Sequence, residues 1–172
     1  MDLRLLLASS AVLLTASITS ITSITSTSSI TVETGGTSQC KVKWLFGILC
    51  QDVSVKLVNQ IKTWQIGQSC QYTGERCSYE LVSAGQYQIK ATHTDPTTKK
   101  LNELDFLLEQ STVCKVTGEA ATEASNDPAG SSNFCSLQNL MNGSDLIHAE
   151  GYKQFSNKWI CPGFDTANCS LS

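Results

Sequence analysis

Eight cysteines, two histidines, a few spaced carboxylates and two Asn-x-Ser tripeptides are the residues of this chain whose types and spacing could do chemistry. The cysteines are Cys40, Cys50, Cys70, Cys77, Cys114, Cys135, Cys161 and Cys169, with no Cys-x-x-Cys and no adjacent pair among them. A thioredoxin-like redox centre therefore lacks its motif. A zinc site lacks both its ligand spacing and its nitrogen donors, because the two histidines, His93 and His148, lie far apart. In an exported chain an even count reads as four structural disulfides, which leaves no thiolate to serve as a nucleophile. Connectivity stays open at this level; the short loops they would close favour Cys70 with Cys77 and Cys161 with Cys169.

The remaining polar groups predict no catalytic set. His93 lies two residues before Asp95, but no Gly-x-Ser-x-Gly elbow is present to expose a serine beside it. Both histidines read as surface residues. Glu103, Asp105 and Glu109 fall on one face of a strand, whereas glycoside hydrolysis needs two carboxylates across a cleft, so a solvated face is expected. The same acids do not have the spacing of an EF-hand loop. No cofactor and no metal site is expected. Asn142-Gly143-Ser144 and Asn168-Cys169-Ser170 are acceptors for N-glycosylation, the first on a turn-prone Asn-Gly. With 12 Lys and Arg against 15 Asp and Glu, the net charge of -3 offers no overall basic field, which argues against nucleic acid as a partner.

The elements that must position these residues begin after a leader. Residues 1–17, with Arg4 followed by Leu5-Leu6-Leu7 and then small residues, read as a secretory signal peptide; the apolar run is about half of what a membrane span needs. Secretion to the extracellular space, with no membrane span, is the expectation. Residues 18–38 repeat Ile-Thr-Ser and hold 13 Ser or Thr between positions 19 and 38, so they read as a disordered, glycosylatable leader, with an edge strand as the competing reading. Residues 39–172 then form a single disulfide-bonded domain.

Within it, Leu57, Val58, Ile61 and Trp64 make one apolar stripe at helical spacing over 52–65, with Asp52 as the expected cap and Lys56, Asn59, Gln60 and Lys62 outward. The period changes to two after Cys77. Tyr79 and Leu81, then Tyr87, Ile89 and Ala91, predict one long strand bent at Ser83-Ala84-Gly85. A polar loop at 94–100 leads to a strand carrying Leu104, Phe106 and Leu108, and a further strand covers 113–118. Residues 119–133 read as a loop, and Phe134, Leu137, Leu140 and Met141 as a short helix stopped by Gly143. Tyr152, Phe155, Trp159 and Phe164 follow without a period, as satellite core under a disulfide.

The expected fold is α+β, one helix packed on a curved antiparallel sheet, disulfide-stabilised, with an irregular C-terminal segment. Over 50–118 the order of helix, bent strand, hairpin and further strand resembles the cystatin-type arrangement. Secreted cystatins inhibit papain-like proteases through a Gln-x-Val-x-Gly hairpin and a Pro-Trp hairpin. The corresponding turns here, Ser83-Ala84-Gly85-Gln86 and Thr94-Asp95-Pro96-Thr97, match neither, so inhibition is not implied. The functional expectation is a non-enzymatic extracellular protein acting by protein interaction or as a matrix component. Two alternatives stay open: a carrier holding a small apolar ligand in a pocket lined by Trp64, Tyr87, Phe106 and Leu108, and a secreted hydrolase built on His93.

Overall fold

A computed structural model describes residues 38–65, 76, 78–95, 98–122 and 131–169. The expectations for the signal peptide and for most of the leader lie outside those residues, as do Cys70 and Cys77 with the bridge expected between them.

Strand β1 (Ser38–Phe46) opens the fold and starts at the last residue assigned to the leader. Its inward residues Cys40, Val42, Trp44 and Phe46 alternate with outward Gln39, Lys41, Lys43 and Leu45, a period of two that makes 38–46 a strand. Helix α1 (Cys50–Thr63) buries Cys50, Val53, Leu57 and Ile61, and Trp64 continues the stripe at its C-terminal cap. Its N-cap is Leu49, which makes no side-chain cap; Asp52 sits inside the first turn. The missing cap comes from sixty residues away, where Gln110 Oε1 accepts the Cys50 N–H at 2.6 Å.

Strands β2 (Tyr79–Ala84) and β3 (Gln88–Thr94) are an antiparallel hairpin, so the single bent strand expected over this stretch is corrected. Gly85 N–H donates to Gln88 O at 2.8 Å and closes the turn, which leaves Tyr87 on it and exposed. A bulge between Leu81 and Ser83 shifts the phase of β2. Strand β4 (Leu101–Gln110) and strand β5 (Cys114–Thr122) follow in meander order. The second extends into the region read as loop, because all of its nine residues, through Ala120 and Thr122, pair with β1.

The six-stranded antiparallel sheet has the order β2-β3-β4-β5-β1-β6, where β6 (Lys153–Phe155) is a three-residue edge on β1. Helix α2 (Ser131–Gly143) lies beside α1 on the same face and buries Phe134, Leu137, Leu140 and Met141, the residues the sequence marked. Burial of side chains of this size stabilises by roughly 1.5–3 kcal/mol each. The helices touch where Gly143 passes beneath Trp64: a Cβ there would meet the indole at 2.3 Å. With its amide nitrogen turned toward Gly143, Gln60 donates to Gly143 O (2.6 Å) and accepts from Trp64 Nε1 (3.0 Å), so it bridges the helices rather than facing solvent. Gly118 makes the matching room in the sheet, where a Cβ would lie 2.5 Å from the Trp44 ring.

Among the described residues, three disulfides hold these layers. Cys50–Cys114 ties the start of α1 to β5, Cys40–Cys161 ties β1 to the C-terminal segment, and Cys135–Cys169 ties α2 to the tail. The expected Cys161–Cys169 bridge is therefore corrected. Pairing of β6 with β1 brings Cys161 to Cys40, and contact across the fold outweighs closeness in sequence.

Candidate functional site

The strand register places Tyr79, His93, Asn102, Thr122 and Ser38 in one row across five strands, at the end of the sheet remote from the start of α1. Polar residues in an inward phase need partners, and the first turns of α2 supply them. Asn102 Nδ2 donates to Ser136 Oγ (2.7 Å) and to Ser132 Oγ (3.2 Å). The Thr122 hydroxyl sits between Asn102 Oδ1 (2.5 Å) and Asn133 Oδ1 (2.6 Å), while Asn133 Nδ2 donates to Ser38 O (3.0 Å). Asp95 is also buried; one carboxylate oxygen accepts Thr98 N–H (2.8 Å) and the other the Ser132 hydroxyl (3.0 Å).

His93 is thus not a surface residue. It shares the inward phase of Ile89 and Ala91, is 1% exposed, stacks on Tyr79 with ring centroids 4.3 Å apart, and places Nδ1 2.7 Å from Ser136 Oγ. A serine hydroxyl this close to an imidazole, with Asp95 nearby in sequence, has the residue types of a nucleophile–base pair. The hydrogen bonds give it another role. Ser136 is fully buried, with Ser132 O (2.8 Å) and Asn102 Nδ2 also on its hydroxyl; with the serine hydrogen given to Ser132 O, the imidazole meets it as a donor through Nδ1. A general base would need that nitrogen's lone pair free for the serine proton. The cluster pins α2 to the sheet.

His148, by contrast, is exposed and pairs with Asp145 through Nδ1 at 2.7 Å. The carboxylates of β4 also stand where the sequence put them, outward on the helix-free face. Glu109 pairs with Lys115 (2.6 Å), Asp105 accepts from Gln88 Nε2 (2.8 and 2.9 Å), and Lys41 pairs with Glu119. Cross-strand neighbours of opposite charge make this a solvated ladder. Burial pushes the Tyr152 phenol above its ordinary range, partly offset by the Gln138 amide and the Trp44 indole beside it.

The opposite end of the sheet carries an open groove of about 560 Å³. Leu49, Gln51 and Val55 from the start of α1, Gln86 and Tyr87 from the β2–β3 turn, and Leu108 from β4 form its walls. Leu49, Val55 and Tyr87 are each more than half exposed, and no Asp, Glu, Lys, Arg or His is among the described residues that line the groove. Of the four residues expected to line a ligand pocket, Tyr87 and Leu108 meet here. Trp64 and Phe106 do not: Trp64 packs on Tyr79 (centroids 5.7 Å) at the far end of α1, and Phe106 packs on Trp44 (6.5 Å) in mid-sheet. Tyr87 reaches the groove because the Gly85–Gln88 turn lifts it out of the strand phase of Ile89 and Ala91.

Asn142 stands in the last turn of α2, half-buried, its Oδ1 accepting from Gln138 Nε2 (3.0 Å), and Ser144 of the same tripeptide is buried with its hydroxyl on Leu140 O (2.7 Å). Asn168 is exposed beside the Cys135–Cys169 bridge. Among the described residues no group of His, Cys, Asp and Glu could hold a metal ion, and no helix is long and apolar enough to cross a membrane. Neither a protein-family model, nor a curated protein, nor a solved structure matches this chain.

Proposed function

We propose that this chain is a secreted, disulfide-stabilised glycoprotein of the extracellular space, non-enzymatic, that acts by binding a protein partner or as a matrix component. One contrast carries the reading. The Ser136, His93 and Asp95 set is turned inward and spent on hydrogen bonds, whereas Leu49, Val55 and Tyr87 are presented to solvent around an uncharged groove. Exposed large apolar groups gathered at one place are a feature of interaction sites. The bridges support an oxidising destination. On this reading the helix-then-meander order of 50–118 is a cystatin-type scaffold without the inhibitory hairpins.

Expression of the full chain with a C-terminal tag in cultured animal cells tests the reading. Recovery from the medium, cleaved near residue 17, without free thiols and with a mass loss on deglycosylation, is expected; retention in the cytosol with reduced cysteines contradicts it. A second reading, a carrier of a small apolar ligand, is favoured by the groove itself, whose volume lies within the range of small-molecule sites. Native mass spectrometry of the secreted protein separates the two: a co-purifying ligand lost on Val55→Asp supports the carrier, and bare protein the partner-binding role.

A further inference from the structure

We infer that the β1–β6 edge is a binding site for an acidic polysaccharide chain, which names a matrix ligand and so rests on the extracellular reading above. Residues 38–49 and 151–164 contain Lys41, Lys43, Lys153 and Lys158 and no Asp or Glu. Structure brings these two stretches together: Lys43 pairs with Phe155 and Leu45 with Lys153 across the ladder, Lys41 N–H donates to Ile160 O (3.2 Å), and Cys40 bonds Cys161. Lys41 is answered by Glu119, but Lys43, Lys153 and Lys158 have no carboxylate partner among the described residues. Glu150, whose backbone O accepts Gly47 N–H, stands at one end of this edge, and Lys43, Lys153 and Lys158 outnumber it on a chain of net charge -3.

Aromatic surface accompanies it. Trp159 is 85% exposed, with Phe155 and Ile160 about half exposed beside it. The turn that presents Trp159 is built to hold still: Asn157 Oδ1 accepts both Trp159 N–H (2.9 Å) and Ile160 N–H (3.0 Å), Asn157 O accepts Cys161 N–H (2.8 Å), and Ser156 Oγ donates to Lys41 O (2.6 Å). A turn fixed in advance loses little backbone entropy when a ligand covers the indole it presents. Its flat face suits the C–H face of a sugar ring, and the flanking lysines suit sulfate or carboxylate groups along the chain. Charge complementarity also decides the shape of the ligand. The same helix-free face carries Glu103, Asp105, Glu109 and Glu119 on the neighbouring strands β4 and β5, about 5–10 Å away at the usual strand spacing. A flat anionic bilayer would lie over those carboxylates, whereas a thin polyanion can follow the edge and avoid them.

The test uses the purified, fully oxidised protein on heparin–agarose with a sodium chloride gradient at neutral pH. Retention at about 50 mM salt with release by about 300 mM is expected, because each phosphate- or sulfate-like contact released by salt steepens the dependence. Lys43→Ala, Lys153→Ala and Lys158→Ala combined should weaken binding at least about tenfold and flatten the salt slope. Trp159→Ala, which leaves the charge unchanged, should weaken it about fivefold to tenfold through lost ring stacking. A control of equal charge, Lys56→Ala, Lys62→Ala and Lys90→Ala combined, should bind as the parent does. No retention of the parent, or equal loss in the control, overturns the site. So does sedimentation with phosphatidylserine-containing vesicles that the edge variants abolish while heparin binding is absent. Purified protein is the reagent throughout, so failure here is distinct from failure of the chain to reach the medium.

Discussion

Replacing Ser136 by alanine tests whether the buried Ser–His arrangement is structural. The hydroxyl is fully buried and joins three groups: it accepts from Asn102 Nδ2 (2.7 Å), lies 2.7 Å from His93 Nδ1, and donates to Ser132 O (2.8 Å). Asn102 keeps Ser132 Oγ as a second acceptor, so its loss is partial. Each buried group deprived of a partner costs about 1–3 kcal/mol, while alanine returns about 0.5 kcal/mol of helix propensity. The net expectation is a loss of about 2–3 kcal/mol, a large share of the roughly 5–15 kcal/mol that holds a domain together. At about 3–5 °C per kcal/mol for a domain of this size, Tm should fall by about 6–15 °C. Thermal and urea unfolding with disulfides intact, followed by near-ultraviolet circular dichroism, measures it. The His93→Ala and Ser136→Ala variants should couple in a double-mutant cycle by about 1 kcal/mol or more. An unchanged Tm in Ser136→Ala, or additivity with His93→Ala, refutes the reasoning and returns the pair to candidacy as a nucleophile and base.

Gly118→Ala should destabilise by about 1–2 kcal/mol, since overpacking against Trp44 and Phe106 outweighs the strand's gain over glycine; urea midpoints of the variant and of a Trp44→Phe partner that restores room check it. Gln110→Ala should cost about 1 kcal/mol by removing the cap on Cys50 N–H, read as faster hydrogen exchange in the first turn of α1. Tyr152 is neutral when folded and its pKa is raised by burial, so its contribution is present below about pH 10 and lost as pH climbs through the folded value. Alkaline unfolding should therefore be flatter in Tyr152→Phe than in the parent. Peptide mapping without reduction should recover 40–161, 50–114 and 135–169 linkages; a 161–169 peptide would contradict the topology.

Local period explains how much of this fold could be read in advance. Leu57, Ile61 and Trp64 marked α1, and Leu104, Phe106 and Leu108 marked β4, because one face of each is buried and the spacing shows it. The second half of β5 was hidden because Gly118, Ala120 and Ala121 favour a strand weakly; nine pairs with β1 impose it. Disulfide partners follow from strand order, which no local spacing carries. His93 was legible in part: it continues the phase of Ile89 and Ala91, and a polar residue at an inward position implies a buried partner. That the partner is Ser136 on α2 depends on packing. The groove was invisible for the same reason, since Leu49 and Tyr87 meet only once the β2–β3 turn folds over the start of α1.

A photo-crosslinking side chain installed at Tyr87 tests most directly whether binding occurs at exposed surface rather than at the buried polar row. In extracellular fluid the secreted protein is expected to form one reproducible adduct, lost on Val55→Asp and absent when the crosslinker is placed at Thr92 on the helix-free face. No adduct at Tyr87, or the same yield from both positions, would contradict it.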